Sequence, residues 1–167
     1  MRKLYIFALL FIASISSNAQ VISQVFAGGG NAGAPFTNDY VEIFNNTGSE
    51  LTLTNYSIQY ATGASVSGNF AVLATINTTL LPGQYYLVQL GTATGSNVPA
   101  DLTGSNTNLA VGGGKVILVS TNTAVAVAAT GCSVTPVIDF VGYGTANCAE
   151  GTAAAAMTNT TALLRAS

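Results

Sequence analysis

The chain of 167 residues contains no histidine and no tryptophan, and its charge is scarce, with 4 Lys+Arg and 6 Asp+Glu. Charged residues make up 6%, where about 25% is usual. The missing histidine removes the commonest general base and the commonest metal ligand. So few cations argue against direct nucleic-acid binding, which relies on clustered Lys and Arg to displace counterions. Apolar residues reach 49%, which is the wrong balance for disorder. Long hydrophobic runs are also missing. The longest, Leu4 to Ala13, is too short to span about 30 Å of hydrocarbon, which needs roughly 20 residues.

That run has a different reading. Arg2 and Lys3 precede it, and small and polar residues follow from Ser14 to Ala19. Ser17 and Ala19 stand three before and one before a cut that would make Gln20 the new N-terminus. This is the layout of a secretory signal peptide over residues 1–19. No Cys stands at the cut to take a lipid anchor. Residues 20–167 then form one domain, long enough to bury a sizeable core. Its cations are Lys115 and Arg165, set against all six acids.

The mature stretch reads as strands and turns. Val21–Ala27 runs into Gly28-Gly29-Gly30. In Asp39–Phe44, Val41 and Ile43 share one face and Tyr40, Glu42 and Phe44 the other, which is period two. Further strands are predicted around Leu51 to Tyr60, then at Phe70–Ile76, Tyr85–Leu90, Val116–Ser120 and Val137–Tyr143. Pro82-Gly83 marks a tight turn. With 21 Thr and 14 Asn, strands and turns are favoured over helices, and Ala153–Met157 alone could make a helical turn, with a loop of small residues as the alternative. Gly91–Asn108, rich in Gly, Thr, Ser and Asn, reads as a long surface loop. Short strands with turn signals between them describe a sandwich or barrel.

Cys132 and Cys148 are the only cysteines. An even count in an exported chain predicts a structural bridge, contributing about 3 kcal/mol by chain entropy. Metal ligation lacks partners, and a redox pair would have C-x-x-C spacing. No Ser has a histidine base. Asp39 and Glu42 lie three apart, on opposite faces of a strand, while Asp101, Asp139 and Glu150 are scattered. Solvated carboxylates or turn caps are the plainer reading, with a Ca²⁺ site of Asp and loop carbonyls as the alternative. The expectation is therefore no catalytic residue, no metal ligand and no cofactor.

Neither Gly28-Gly29-Gly30 nor Gly112-Gly113-Gly114 continues as a phosphate loop would, and Gly114-Lys115 leads into a strand. Tyr40, Tyr56, Tyr60, Tyr85, Tyr86 and Tyr143 could stack on a sugar, but core packing is the preferred reading. Sequons occur at Asn45, Asn55, Asn77 and Asn159.

The order of the strand segments resembles the lamin-tail domains of bacteria. The opening Val21–Phe26 with Gly28-Gly29-Gly30 and Asn38–Asn45 carries the likeness, and Tyr56–Tyr60 stands where family members often begin a strand with Trp. Leu81–Val88, Gly114–Val119 and the segment from Cys132 through Asp139–Gly151 are similar to the family's later turn, strand and cysteine region. The resemblance implies an all-β, immunoglobulin-like β-sandwich of lamin-tail type with no catalytic residues. Members usually continue past the Leu-Leu-Arg segment into a final strand, whereas this chain stops at Ser167. A fragment lacking its C-terminal strand, and with it any fused enzyme domain, is the corresponding expectation.

The resemblance implies a secreted, non-catalytic binding or structural module of the extracellular space or cell envelope. It would be accessory to an extracellular enzyme, or would mediate attachment to a surface or macromolecule. Two alternatives belong to other classes. One is the N-terminal portion of a nuclease or phosphoesterase whose catalytic domain lies beyond Ser167, since such catalysis needs a metal cluster. The other is a carbohydrate-binding sandwich.

Overall fold

A computed structural model describes residues 20–92, 97–133, 135 and 137–165. The expected signal peptide, residues 1–19, lies outside the described residues. Nine strands follow in chain order: β1 (Gln20–Phe26), β2 (Asp39–Asn45), β3 (Leu51–Thr62), β4 (Ala71–Leu80), β5 (Tyr85–Leu90), β6 (Leu102–Thr103), β7 (Gly113–Val119), β8 (Asp139–Gly144) and β9 (Leu163–Leu164). They form two sheets, ordered β6-β5-β2-β1-β9 and β4-β3-β7-β8. All neighbours are antiparallel except β5 and β6. Among the described residues no helix is long and apolar enough to cross a membrane.

The period-two pattern of β2 explains the layering. Val41 and Ile43 face the space between the sheets, where Ile22, Val25, Ile58, Ile76, Val88, Val116 and Leu118 meet them. Tyr40 turns to the outer face. There it stacks on Phe26 at 5.3 Å and, with Phe36 and Val98, makes a small second cover. β7 is buried at all seven positions because both its faces are covered. Its inner face meets the other sheet. Ile117 and Val119 pack outward under Phe70, Val125, Val127 and Phe140, a third cluster supplied largely by the connection from β7 to β8.

Three segments differ from the sequence expectation. The stretch 91–108 is more than a surface loop: Leu102–Thr103 pairs with β5, and Ser105 donates its N–H to Leu73 O, tying one flank of the two sheets together. Ala153–Met157 makes no helical turn. Ala154 instead bridges in parallel to Tyr143, because an alanine run with an open sheet edge beside it gains hydrogen bonds there. Finally, Leu163–Leu164 is itself an edge strand, antiparallel to β1 at Gln24 and Val25. Leu163 packs against the main core, whereas Leu164 is 74% exposed.

Candidate functional site at the seam between the sheet edges

The two sheets end together at β9 and β8, and a cleft of about 260 Å³ lies between them. Ile22 and Val25 of β1, Phe140 of β8 and Leu163 of β9 supply its apolar wall; Ser23, Thr152, Glu150 and Arg165 supply polar groups. Asp139 closes one end. Its carboxylate accepts from Ile22 N–H at 2.5 Å, from Phe140 N–H at 2.9 Å and from Arg165 Nη2 at 2.6 Å. Arg165 also donates from Nε to Ile22 O and from its backbone N–H to Ser23 O. The other end is closed by Ala154, which accepts from Gly144 N–H and donates to Gly142 O, each at 2.9 Å.

Burial pushes the Asp139 carboxyl above the ordinary carboxylate value, and the neighbouring Glu150 adds to this. The Ile22 amide and Arg165 guanidinium oppose it. Asp139 is 2% exposed and Arg165 35%. Glu150 is exposed at the rim.

The remaining acids are apart from this pair. Asp39 is buried in the opposite part of the fold, accepting from Gly29 N–H at 2.7 Å and Leu109 N–H at 2.6 Å. Burial raises it to about 6 against those two bonds. Glu42 is half-buried and accepts from Ser23 Oγ at 2.8 Å. Asp101 accepts from Leu87 N–H at 2.8 Å. Asp39, Glu42, Asp101 and Asp139 thus each cap backbone or a hydroxyl. Among the described residues no group of three or more Asp, Glu, Cys or His side chains is placed to hold a metal ion.

Sequence reasoning missed Lys115. It is fully buried, and its Nζ donates to Ser65 O at 2.6 Å, Gly131 O at 2.8 Å and Asn147 Oδ1 at 2.9 Å. Burial pulls its ammonium below the ordinary lysine value. Position 115 in the alternation of β7 was the available signal, since it puts the side chain on the outward face with Ile117. What the sequence did not show is that this face is covered. Cys132 and Cys148 are joined by a disulfide with Cα atoms 5.3 Å apart, each next in sequence to a Lys115 partner.

The tyrosines make no platform. Tyr40, Tyr60 and Tyr143 are buried, Tyr56 and Tyr86 pack against the main core, and Tyr85, 54% exposed, stacks on Phe44 at 4.5 Å. The Tyr143 hydroxyl makes no hydrogen bond among the described residues. Gly114 lies under it: a Cβ there would meet Tyr143 Oη at 2.6 Å, so Gly114 of the second triplet serves ring packing, while a Cβ on Gly113 would meet Thr145. Of the sequons, Asn45 is closed to a glycan, because its buried amide donates to Ser49 O, Leu80 O and Leu81 O. Asn55 and Asn77 are exposed, and Asn159 is half-buried.

Two packed sheets, an immunoglobulin-like arrangement and carboxylates given to backbone capping define the class: an all-β sandwich module. The Lamin Tail Domain family matches residues 14–133, and the chain belongs to that family, a non-catalytic immunoglobulin-like group. The match ends before β8 and β9, so most of the seam lies beyond it. A search of curated proteins found no match. The disulfide suggests an oxidising, extracellular environment.

Proposed function

We propose that residues 20–167 form an exported, non-catalytic attachment module, accessory to an extracellular enzyme or holding the chain to a surface or macromolecule. One observation carries this reading: the carboxylates of Asp39, Glu42, Asp101 and Asp139 are committed to capping backbone and hydroxyls, while a cleft of about 260 Å³ stays open between the sheet edges. A site with no assembled base or metal cluster can bind but has little means of turning over a substrate. The basic start, apolar run and small residues of 1–19 support export, with Gln20 as the mature N-terminus.

Three measurements test the reading. Intact mass of the exported protein should place its first residue at Gln20. A fluorescent reporter joined to the exported protein should stay on the envelope of the producing cells, where the reporter alone washes off. The purified protein should not cleave DNA, phosphoesters or glycosides above a blank, with or without Mg²⁺, Ca²⁺ or Zn²⁺. Metal-dependent turnover that vanishes on replacing a carboxylate, or a reporter that washes off equally, would reject it.

A further inference from the structure

β8 is the last strand of its sheet, and its backbone alternates between β7 and the cleft. Ala154 accepts from Gly144 N–H and donates to Gly142 O, so the even-numbered positions of β8 face outward. The parallel ladder stops there. Continuing it by two residues would place Thr152 N–H on Phe140 O and Gly142 N–H on Thr152 O, and neither bond forms. The chain turns aside at Gly151, whose φ of 70° is left-handed, and the cleft opens at that point. Phe140 N–H is already taken by Asp139 Oδ1, which leaves Phe140 C=O and Gly142 N–H directed at the cleft.

Two charged side chains line the cleft, Glu150 and Arg165, and Arg165 is offset by Asp139, which leaves the opening net negative. Glu150 is exposed on the rim, and Ser23 on the facing wall has its hydroxyl held by Glu42. Among the described residues neither cation is available to a ligand, because Lys115 is enclosed by its three oxygen acceptors and Arg165 is paired with Asp139.

We propose that the cleft binds an extended, basic peptide segment, which adds to β8 as a strand through Phe140 C=O and Gly142 N–H and sets a Lys or Arg beside Glu150. This is strand addition at an exposed sheet edge, in which main-chain bonds supply affinity and alternate side chains supply selectivity. The free stretch of β8 is three residues, about 10 Å at strand spacing, so two or three guest residues fill it. Their apolar side chains lie on Ile22, Val25 and Leu163. The inference rests on the attachment reading and names the partner's chemistry.

The test is an NMR titration of the isotope-labelled exported protein with a blocked hexapeptide of alternating Lys and Val. Saturable shifts are expected at the Phe140–Gly142 and Glu150–Thr152 amides. N-methylation of the peptide backbone keeps its charge and removes its N–H donors, and should weaken binding about fivefold for each bond lost. Glu150→Lys should weaken it about two- to fivefold, as befits an exposed pair. No saturable shift at these amides up to millimolar peptide overturns the proposal. So does equal binding of the N-methylated peptide, or preferential binding of a Glu-Val peptide or a DNA oligonucleotide at the cleft. If the hexapeptide fails while the reporter still stays on cells, the attachment reading survives and this site does not. If Glu150→Lys also releases the reporter, both stand.

Discussion

Lys115 and Arg165 are both tied down inside the fold, but their surroundings differ. Lys115 sits under a layer built from the β7–β8 connection, and it meets oxygen atoms from three separate segments with no carboxylate among its hydrogen-bond partners. Phe70, Val125, Val127 and Phe140 pack over its β7 neighbours Ile117 and Val119, and the disulfide cysteines pack against the same layer. Arg165 lies at the seam, about a third exposed, with a carboxylate partner and a cleft beside it. Neutral oxygens repay the desolvation of a buried ammonium only if every donor is satisfied, and here three donors meet three acceptors. An ion pair at the edge demands less of its surroundings. The outer layer over β7 therefore behaves as a sealed unit, while the seam is the part of the molecule free to accept a guest.

The sharpest way to break this comparison is Lys115→Met, which keeps the stem and removes the ammonium. Three carbonyl oxygens would be left in a covered layer, and the expected loss is about 3–5 kcal/mol. In thermal melting followed by circular dichroism that is a drop of roughly 10–15 °C for a domain this size. A loss under about 1 kcal/mol would mean that water reaches those oxygens and the layer is open.

Next in size is the bridge. Replacing both Cys132 and Cys148 by Ser should cost about 3 kcal/mol by chain entropy. Because each cysteine adjoins a Lys115 partner, the triple variant should lose less than the sum of the separate losses. Strict additivity in urea unfolding would show that bridge and ammonium are independent.

These expectations concern a feature that the sequence only half disclosed. The β2 alternation, the Pro82-Gly83 turn and the pair of cysteines were legible because each is a local signal: a period, a fixed φ, an even count. Lys115 was not, because nothing near Gly114-Lys115-Val116 says that a segment ten or more residues later folds back over that face. Leu102–Thr103 and Leu163–Leu164 were missed for a related reason. Two-residue strands carry no measurable period, and they exist because β5 and β1 offer an edge. The seam shares this origin. Ser23, Glu150 and Arg165 are more than a hundred residues apart at their extremes, and only the pairing of β9 with β1 gathers them.

Acid sharpens the comparison, since two buried carboxyls titrate in the same direction. Asp39 rises from 3.8 to about 6 on folding, through burial. Its neutral form is thus the one the fold favours. Its contribution is full below pH 4 and is lost as pH rises through about 6, a change of about 2–3 kcal/mol. Tyr60 and Tyr143 face it from β3 and β8 and do not ionise in this range. Asp139 is also raised and adds with the same sign. Urea midpoints should therefore increase from pH 7.5 to pH 5, the reverse of ordinary acid denaturation. A midpoint that falls over this interval would mean that the Gly29 and Leu109 amides outweigh burial at Asp39.

Arg165→Met is expected to have the smallest effect, and it separates the two ways in which Arg165 can hold the seam. The backbone bond from position 165 to Ser23 O survives the substitution, as does most of the stem's packing. What is lost is the pair with Asp139 and the Nε bond to Ile22 O. With the guanidinium about a third exposed, solvent screens the pair, and the loss at pH 7 should be about 1 kcal/mol. At pH 4.5 Asp139, held above its ordinary value by burial, is closer to neutral in the folded protein, so there is less charge to compensate and the loss should shrink. Urea unfolding of both proteins at the two pH values gives the difference directly. If the cost is the same at both, Arg165 acts through Ile22 O and its stem. Arg165 would then hold the seam as Lys115 holds its layer, by donating to neutral oxygens and by packing its stem, and the contrast between the two cations would lose its electrostatic basis.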